Sequence, residues 1–404
     1  MASATAHGSD PAVGASVPQL GVELPTFKGT PGWEFTPIDK LDLAALPAAP
    51  AGTGTAGVAL LAPEGGVGPS EEEPGTSDPS ALIVAPLRVA LERHAEVVGR
   101  HFGTVVRPSY FATVNADQWT DGTLVYVPRN VKVEAPIVIT TVQDRPGTSL
   151  HHRTLVVLEE GAEAEVWDQV ASSHDEEALV NGVVELVVGD NATLRYFGAQ
   201  TVNEKTWVFG SQRAVLGKDA ELDWTTLGFG GSNGKVFLET TLAGRGSTAK
   251  VTGAYATRGR QHIDYDTLQE HAAADTVSDL AFRGLVSGRS TAVWRGMIKV
   301  DPGAQRTDAF QEARNLLIGN KAHADAIPGL EILADDVRCT HAAAIAQIDP
   351  EQIFYLRSRG LERPVAERLV VEGFLGAVVE RYAEGPIRDT LAGAIDARLA
   401  TVLG

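Results

Sequence analysis

The stretch EEGAEAEVW (159–167) turns a corner at Gly161-Ala162 and leaves it in residues of alternating polarity. The pattern recurs in GDNATLRYF (189–197), with Asn191-Ala192 at the corner, and in GKDAELDW (217–224), with Asp219-Ala220. Successive copies lie about thirty residues apart, and each follows a β-branched or alternating run such as TLVVL or VVELVV. Gly246-Ser247 and Gly303-Ala304 read as further, degenerate copies. A repeat of this length, carrying two or three short strands, predicts one coil of a parallel β-solenoid. Each coil buries its inward face only against the next, so a small corner residue recurs where neighbouring backbones stack. A β-sandwich also yields short strands with turn signals. The long run of similar units favours the solenoid, with its core at 124–348.

The flanks differ in texture. Residues 1–20 are small, polar and dotted with Pro and Gly, which predicts a disordered tail. An N-terminal helical region is expected over 21–123, interrupted by a flexible acidic loop at 62–80. Within it, GWEFTPIDKLDL (32–43) carries aromatic and aliphatic anchors suited to docking on a neighbouring surface. ALIVAPLRVALERHAEVVGRHF (81–102) has helical spacing at least in its second half. A C-terminal helical domain is expected at 349–404. Its first helix starts at Asp349-Pro350-Glu351-Gln352, a capping carboxylate followed by Pro at the first helical position, and stops at Gly360. A second helix is expected to bury Val365, Leu369, Phe374, Ala377 and Val378. The third places Ile387, Leu391, Ile395 and Leu399 about one turn apart.

Composition narrows the function classes. The 404 residues carry a formal charge of -18, which argues against binding a phosphate backbone. A 44% apolar share is that of an ordinary globular protein. A single cysteine cannot form an internal disulfide. The N-terminus lacks a basic then apolar leader, and no apolar run is long enough to span a bilayer. A cytoplasmic protein without nucleic-acid or membrane partners is the expectation.

That cysteine sits in DDVRCTHAAAIAQID (335–349). On a strand, Cys339 and His341 would point to one face and could share a soft or borderline metal. Two ligands do not complete a site, and a buried free thiol explains Cys339 equally well. His151-His152, His262 and His323 read as turn or surface histidines. FGGSNGK (229–235) lacks the Ser or Thr of a phosphate loop, and GRGSTA (244–249) lies between strands. Asp335-Asp336 would face opposite ways on a strand and could not serve one substrate.

Residues 293–361 are more specific. They contain R-G-x-I-K-V, P-G-A-Q-x-T-D-A, L-E-I-x-A-D-D-V-x-C-x-H and F-Y-L-R-S-R-G. This block resembles the SufB/SufD family of iron–sulfur cluster assembly proteins, and LPTFKGTPGWEFTPIDKL is similar to the family's N-terminal motif. The resemblance implies a right-handed parallel β-helix flanked by N-terminal and C-terminal helical segments. It implies work in a complex with a SufB-type paralogue, through the β-helix, and a SufC-type ABC ATPase on the C-terminal helices. The implied ATPase-binding region comprises Phe354, Tyr355, Arg357, Arg359, Gly360 and Phe374. His341, with Cys339 as a second contributor, would belong to a partner-completed metal site for a transient iron–sulfur cluster, and ATP hydrolysis would fall to the ATPase. The isolated chain could form a homodimer.

SufB-type members are usually longer and richer in cysteine, so the resemblance is to the SufD-type branch. A cluster needs about four ligands, mostly thiolates, which this chain alone does not have. Where the family usually reads C-S-H-G-A-T, this chain reads C-T-H-A-A-A, with Ala342 for Gly and Ala344 for Thr. That exchange is expected to alter local geometry and to remove a hydroxyl near the cluster. The alternatives are a stand-alone β-solenoid enzyme acting on carbohydrate and a SufB-like primary scaffold.

Overall fold

Parallel strands stack into two facing sheets, in a computed structural model that describes residues 23–52, 60–70 and 82–403. The expected tail at 1–20 and the part of the acidic loop at 71–80 lie outside the described residues. Strand β1 (Ile83–Pro86) leads into helices α1 (Leu87–Arg93), α2 (Ala95–His101) and α3 (Tyr110–Gln118). The solenoid then runs through β2 (Asp121–Val127), β3 (Ile137–Gln143), β4 (Ser149–Leu158), β5 (Glu163–Ser172), β6 (Ala178–Val188), β7 (Thr193–Thr201), β8 (Thr206–Leu216) and β9 (Glu221–Gly228). It continues through β10 (Asn233–Leu242), β11 (Thr248–Thr257), β12 (His262–His271), β13 (Val277–Ser287), β14 (Thr291–Val300), β15 (Asp308–Ile318), β16 (His323–Ile332) and β17 (Arg338–Gln347). Even-numbered strands and β1 form one sheet, odd-numbered strands from β3 the other. Each coil is thus two strands, one per sheet, and the chain completes eight coils.

The corners explain the repeat. Asn130, Gly161, Asn191, Asp219, Gly246, Asp275 and Arg306 all have positive φ, between 51° and 78°. Each donates its backbone N–H to a carbonyl of the next coil, as in Gly161 to Asp190 at 2.9 Å and Asn191 to Lys218 at 2.8 Å. Asn, Asp and Gly tolerate this left-handed geometry best, which is why they mark the repeat. From Gly161 onward the residue that follows is small or short and buried: Ala162, Ala192, Ala220, Ser247, Thr276, Thr307. The last copy therefore falls at Arg306-Thr307 rather than at the expected Gly303-Ala304. The β14–β15 corner is longer than those between β4 and β13, and Gly303 (φ +87°) serves a separate turn within it. The glycines of FGGSNGK also serve stacking. A Cβ at Gly234 or Gly230 would collide with the Val208 or Val202 carbonyl of the preceding coil.

Inward side chains fill the lumen with Val156, Leu186, Leu222, Trp224, Val251, Phe282 and Trp294 among others. Two outer layers cover the sheets. On one, Trp33, Ile38, Leu41 and Leu46 pack with Tyr110, Phe111 and Phe209, as the anchors in 32–43 predict. On the other, α5 (Arg363–Val379) and α6 (Pro386–Leu403) bury Val371, Leu375, Leu391, Ile395 and Leu399 against Trp167, Phe197, Leu227 and Leu285. The α5 face is only partly the expected one: Val378 is buried and Phe374 and Ala377 half-buried, but Val365 and Leu369 are exposed by 46% and 45%, while Ala366, Val371 and Leu375 are buried. The helix is apolar around most of its circumference, so the sheet, not the periodicity, selects the buried side. Helix α4 (Pro350–Ser358) is capped by Asp349, whose side chain accepts from the Glu351 N–H at 2.9 Å.

Candidate functional site

The last coil, β16 and β17, has no coil beyond it. Strand β16 pairs only with β14, and β17 only with β15, so each leaves one edge unpaired. Register places Cys339 beside Ala309 and His341 beside Gln311, and both neighbours are buried in the lumen. Cys339 and His341 therefore share the lumen face, as strand periodicity requires. His341 is exposed because the stack stops above it. Cys339 is half-buried against Ile298, Val300, Ala309 and Val337. Burial, then the Asp308 carboxylate, pushes its thiol pKa up, so the free chain holds it protonated.

The rim of this end is apolar. Leu330 and Ile332 are 37% and 39% exposed, yet their register neighbours one coil back, Ile298 and Val300, are 0% exposed. Ile345 follows the same logic, exposed by 44% above the buried Asn315. These residues are patterned for burial and lack only a cover. The substituted positions of the C-x-H motif lie elsewhere. Ala342 and Ala344 are register neighbours of Glu312 and Arg314 on the outer face. Ala342 does not have the positive φ that would demand glycine. Both exchanges therefore lie on the face opposite Cys339 and His341. Among the described residues no group of three or more His, Cys, Asp or Glu could hold a metal. At the uncapped end the described residues bring two donors, Cys339 and His341, to the lumen face.

Of the residues that the resemblance implies for ATPase binding, Phe354, Tyr355 and Arg357 lie on α4, Arg359 and Gly360 directly follow it, and Phe374 lies in the second half of α5. Phe354 and Tyr355 are exposed by 75% and 56%. Arg357, Arg359 and Gly360 are exposed beside them, while Phe374 is half-buried against the helix–sheet core. Between the helices runs an open groove lined by Asp349, Gln352, Tyr355, Leu356, Leu369 and Val370.

Sequence reasoning misplaced His151 and His152. His151 and His152 are interior, at 2% and 7% exposure, on opposite faces of β4. Desolvation, then the His152 neighbour, lowers the His151 pKa to about 4. His262 is also lowered to about 4, by burial and then Lys235, and His271 to about 4 by burial. Only His323 fits the surface reading, 3.1 Å from Asp325. His152 helps line a lumen cavity of about 60 Å³ with Asp168, Tyr196, Gln200 and Gln212, and Tyr196 Oη donates to Asp168 at 2.6 Å. The adjacent pair His151-His152 inside an apolar strand run was the available signal.

Comparison with known proteins bears on this arrangement directly. Residues 139–374 match the family described as SUF system FeS cluster assembly, SufBD core domain, more than half of the chain. The chain belongs to the SufBD family. The matched segment includes Cys339, His341 and α5 as far as Phe374. Among SufBD relatives, the chain is 28% identical over 324 residues to the iron–sulfur cluster assembly protein SufD of Bacillus subtilis, covering 79% of this chain and 74% of that protein. It is 32% identical over 289 residues to the SufBD family protein Rv1462 of Mycobacterium tuberculosis, covering 70% and 72%. The B. subtilis SufB is 27% identical over 290 residues, covering 71% of this chain and 62% of that protein. As a SufBD protein, the chain is an iron–sulfur cluster assembly protein, and the carbohydrate-enzyme reading gives way.

Proposed function

We propose that this SufBD protein is a SufD-type scaffold subunit that completes a cluster-forming site with a SufB-type partner and performs no catalysis of its own. The observation that carries the reading is the uncapped last coil. It offers His341 and Cys339 at the centre of an apolar rim and two free strand edges, half a ligand set inside half an interface. A second solenoid end seated there would bury Leu330, Ile332 and Ile345 and supply the missing donors, with the cluster as transient cargo. The single cysteine and the fuller coverage of the SufD relative support the SufD-type assignment over a SufB-like primary scaffold. The exposed α4 surface supports docking of a SufC-type ABC ATPase around Phe354, Tyr355, Arg357, Arg359, Gly360 and Phe374, in a cytoplasmic complex. A free chain would use the same uncapped end to form a homodimer.

The test is co-expression with the SufB-type and ATPase partners, followed by iron and sulfide analysis of the purified complex. His341→Ala is expected to leave the complex intact and to lower cluster content severalfold. Unchanged iron and sulfide would remove His341 from the site.

A further inference from the structure

We infer that the cavity inside the solenoid, between β4 and β10, is a binding site for one potassium-sized cation held by Asp168. The inference is independent of the cluster role proposed above. Asp168 points into the lumen, since its register neighbour on β3 is the core residue Ile139. It is 5% exposed, and its one hydrogen bond among the described residues comes from Tyr196 Oη at 2.6 Å. No lysine or arginine among them pairs with it. A carboxylate removed from water needs a countercharge. The candidate within the lumen is His152, on the same cavity wall. Burial lowers its pKa, outweighing the Asp168 and Asp121 carboxylates, so the ring is neutral at pH 7 and supplies no charge.

Glycines make the room. Above Asp168 and His152, three lumen positions carry no side chain: Gly198 stacks on Asp168, Gly182 on His152, and Gly210 on Gly182. The resulting cavity of about 60 Å³ is several times the roughly 10–15 Å³ that one water-sized particle needs. Gln200, Gln212 and Thr226 add neutral oxygens to its wall. One carboxylate among neutral oxygens balances a single positive charge. Among the described residues no group of three or more His, Cys, Asp or Glu offers the charge that a divalent ion requires. Potassium suits such a site better than sodium, because it gives up its hydration shell at lower free-energy cost.

The experiment compares the urea midpoint of the full chain in potassium chloride and in tetramethylammonium chloride at equal ionic strength, the second cation being too large for the cavity. A cation bound by the folded chain alone raises the midpoint, and more so as its concentration rises. A higher midpoint in potassium is expected, and Asp168→Asn should abolish the difference. Gly198→Ala is the second probe. Its Cβ would meet nothing closer than 3.6 Å, so the variant should fold, while its methyl group takes up cavity space and should weaken the potassium dependence. Equal midpoints of the unmodified chain in the two salts would overturn the proposal. So would a potassium dependence that survives Asp168→Asn or, should that variant not fold, Gly198→Ala. Diffraction from crystals grown in rubidium chloride tests the location: an anomalous peak beside Asp168 is expected, and water density alone at that place would overturn the site.

Discussion

Glu185 shows how single residues hold the N-terminal segments onto the solenoid. Its carboxylate pairs with Arg153 at 2.9 Å, both side chains being almost completely buried, at 1% and 2% exposure. It also accepts from the backbone N–H groups of Gly103 at 2.9 Å and Val105 at 3.0 Å, which fixes the segment between α2 and α3. The Arg153 guanidinium stacks over Phe102, 4.4 Å from the ring centroid. Glu185→Ala would strand a buried cation and free that segment, so a loss of about 3–5 kcal/mol is expected in urea titration. The double variant Arg153→Met/Glu185→Leu should recover most of it, because desolvating the charges offsets much of their attraction. A double variant no more stable than Glu185→Ala would mean that the backbone clamp, not the ion pair, dominates. None of this was legible beforehand. Arg153 and Glu185 lie in separate strand runs, and only stacking of adjacent coils sets them side by side.

Elements divide into those buried against the solenoid and those left exposed among the described residues. Helix α6 belongs to the first kind, since Leu391, Ile395 and Leu399 recur at one-turn spacing and all three are buried. Helix α4 belongs to the second: its start is specified by Asp349 and Pro350, yet none of its residues is buried. The two kinds should respond differently to substitution. Phe354→Ser is expected to shift stability by no more than about 0.5 kcal/mol while weakening retention of the ATPase partner in a pull-down. Leu375→Ala, at a residue 1% exposed on α5, should cost about 2–5 kcal/mol in a thermal or urea melt. If Phe354→Ser lowered the melting temperature as much as Leu375→Ala, α4 would be packed rather than available. Phe374, half-buried, should show both effects, so it is a poor probe of docking alone.

For the molecule as a whole, the buried histidines make stability depend on pH. Folded pKa values of about 4 for His151, His262 and His271 lie below the ordinary 6.5, so the unfolded chain binds more protons across that window. Their contribution is complete above pH 6.5 and is lost as pH falls toward 4. At pH 5 each such histidine would cost roughly 2 kcal/mol. The urea midpoint should therefore drop between pH 7.5 and pH 5; an unchanged midpoint would show that these side chains are not held neutral. The sequence was read as placing His151 and His262 at turns or on the surface, because a polar residue in an alternating run carries no sign of which sheet face is covered. By itself the sequence determined what depends on local geometry and repetition: the solenoid, through the Gly, Asn and Asp corners; the α4 cap; and the motifs around Cys339 and His341. Only the tertiary structure decided which faces are covered. Leu330 and Ile332 carry the same apolar pattern as their buried neighbours Ile298 and Val300 one coil back. Whether such residues become core or interface depends on whether another coil is stacked on them, and no local pattern records where a stack ends.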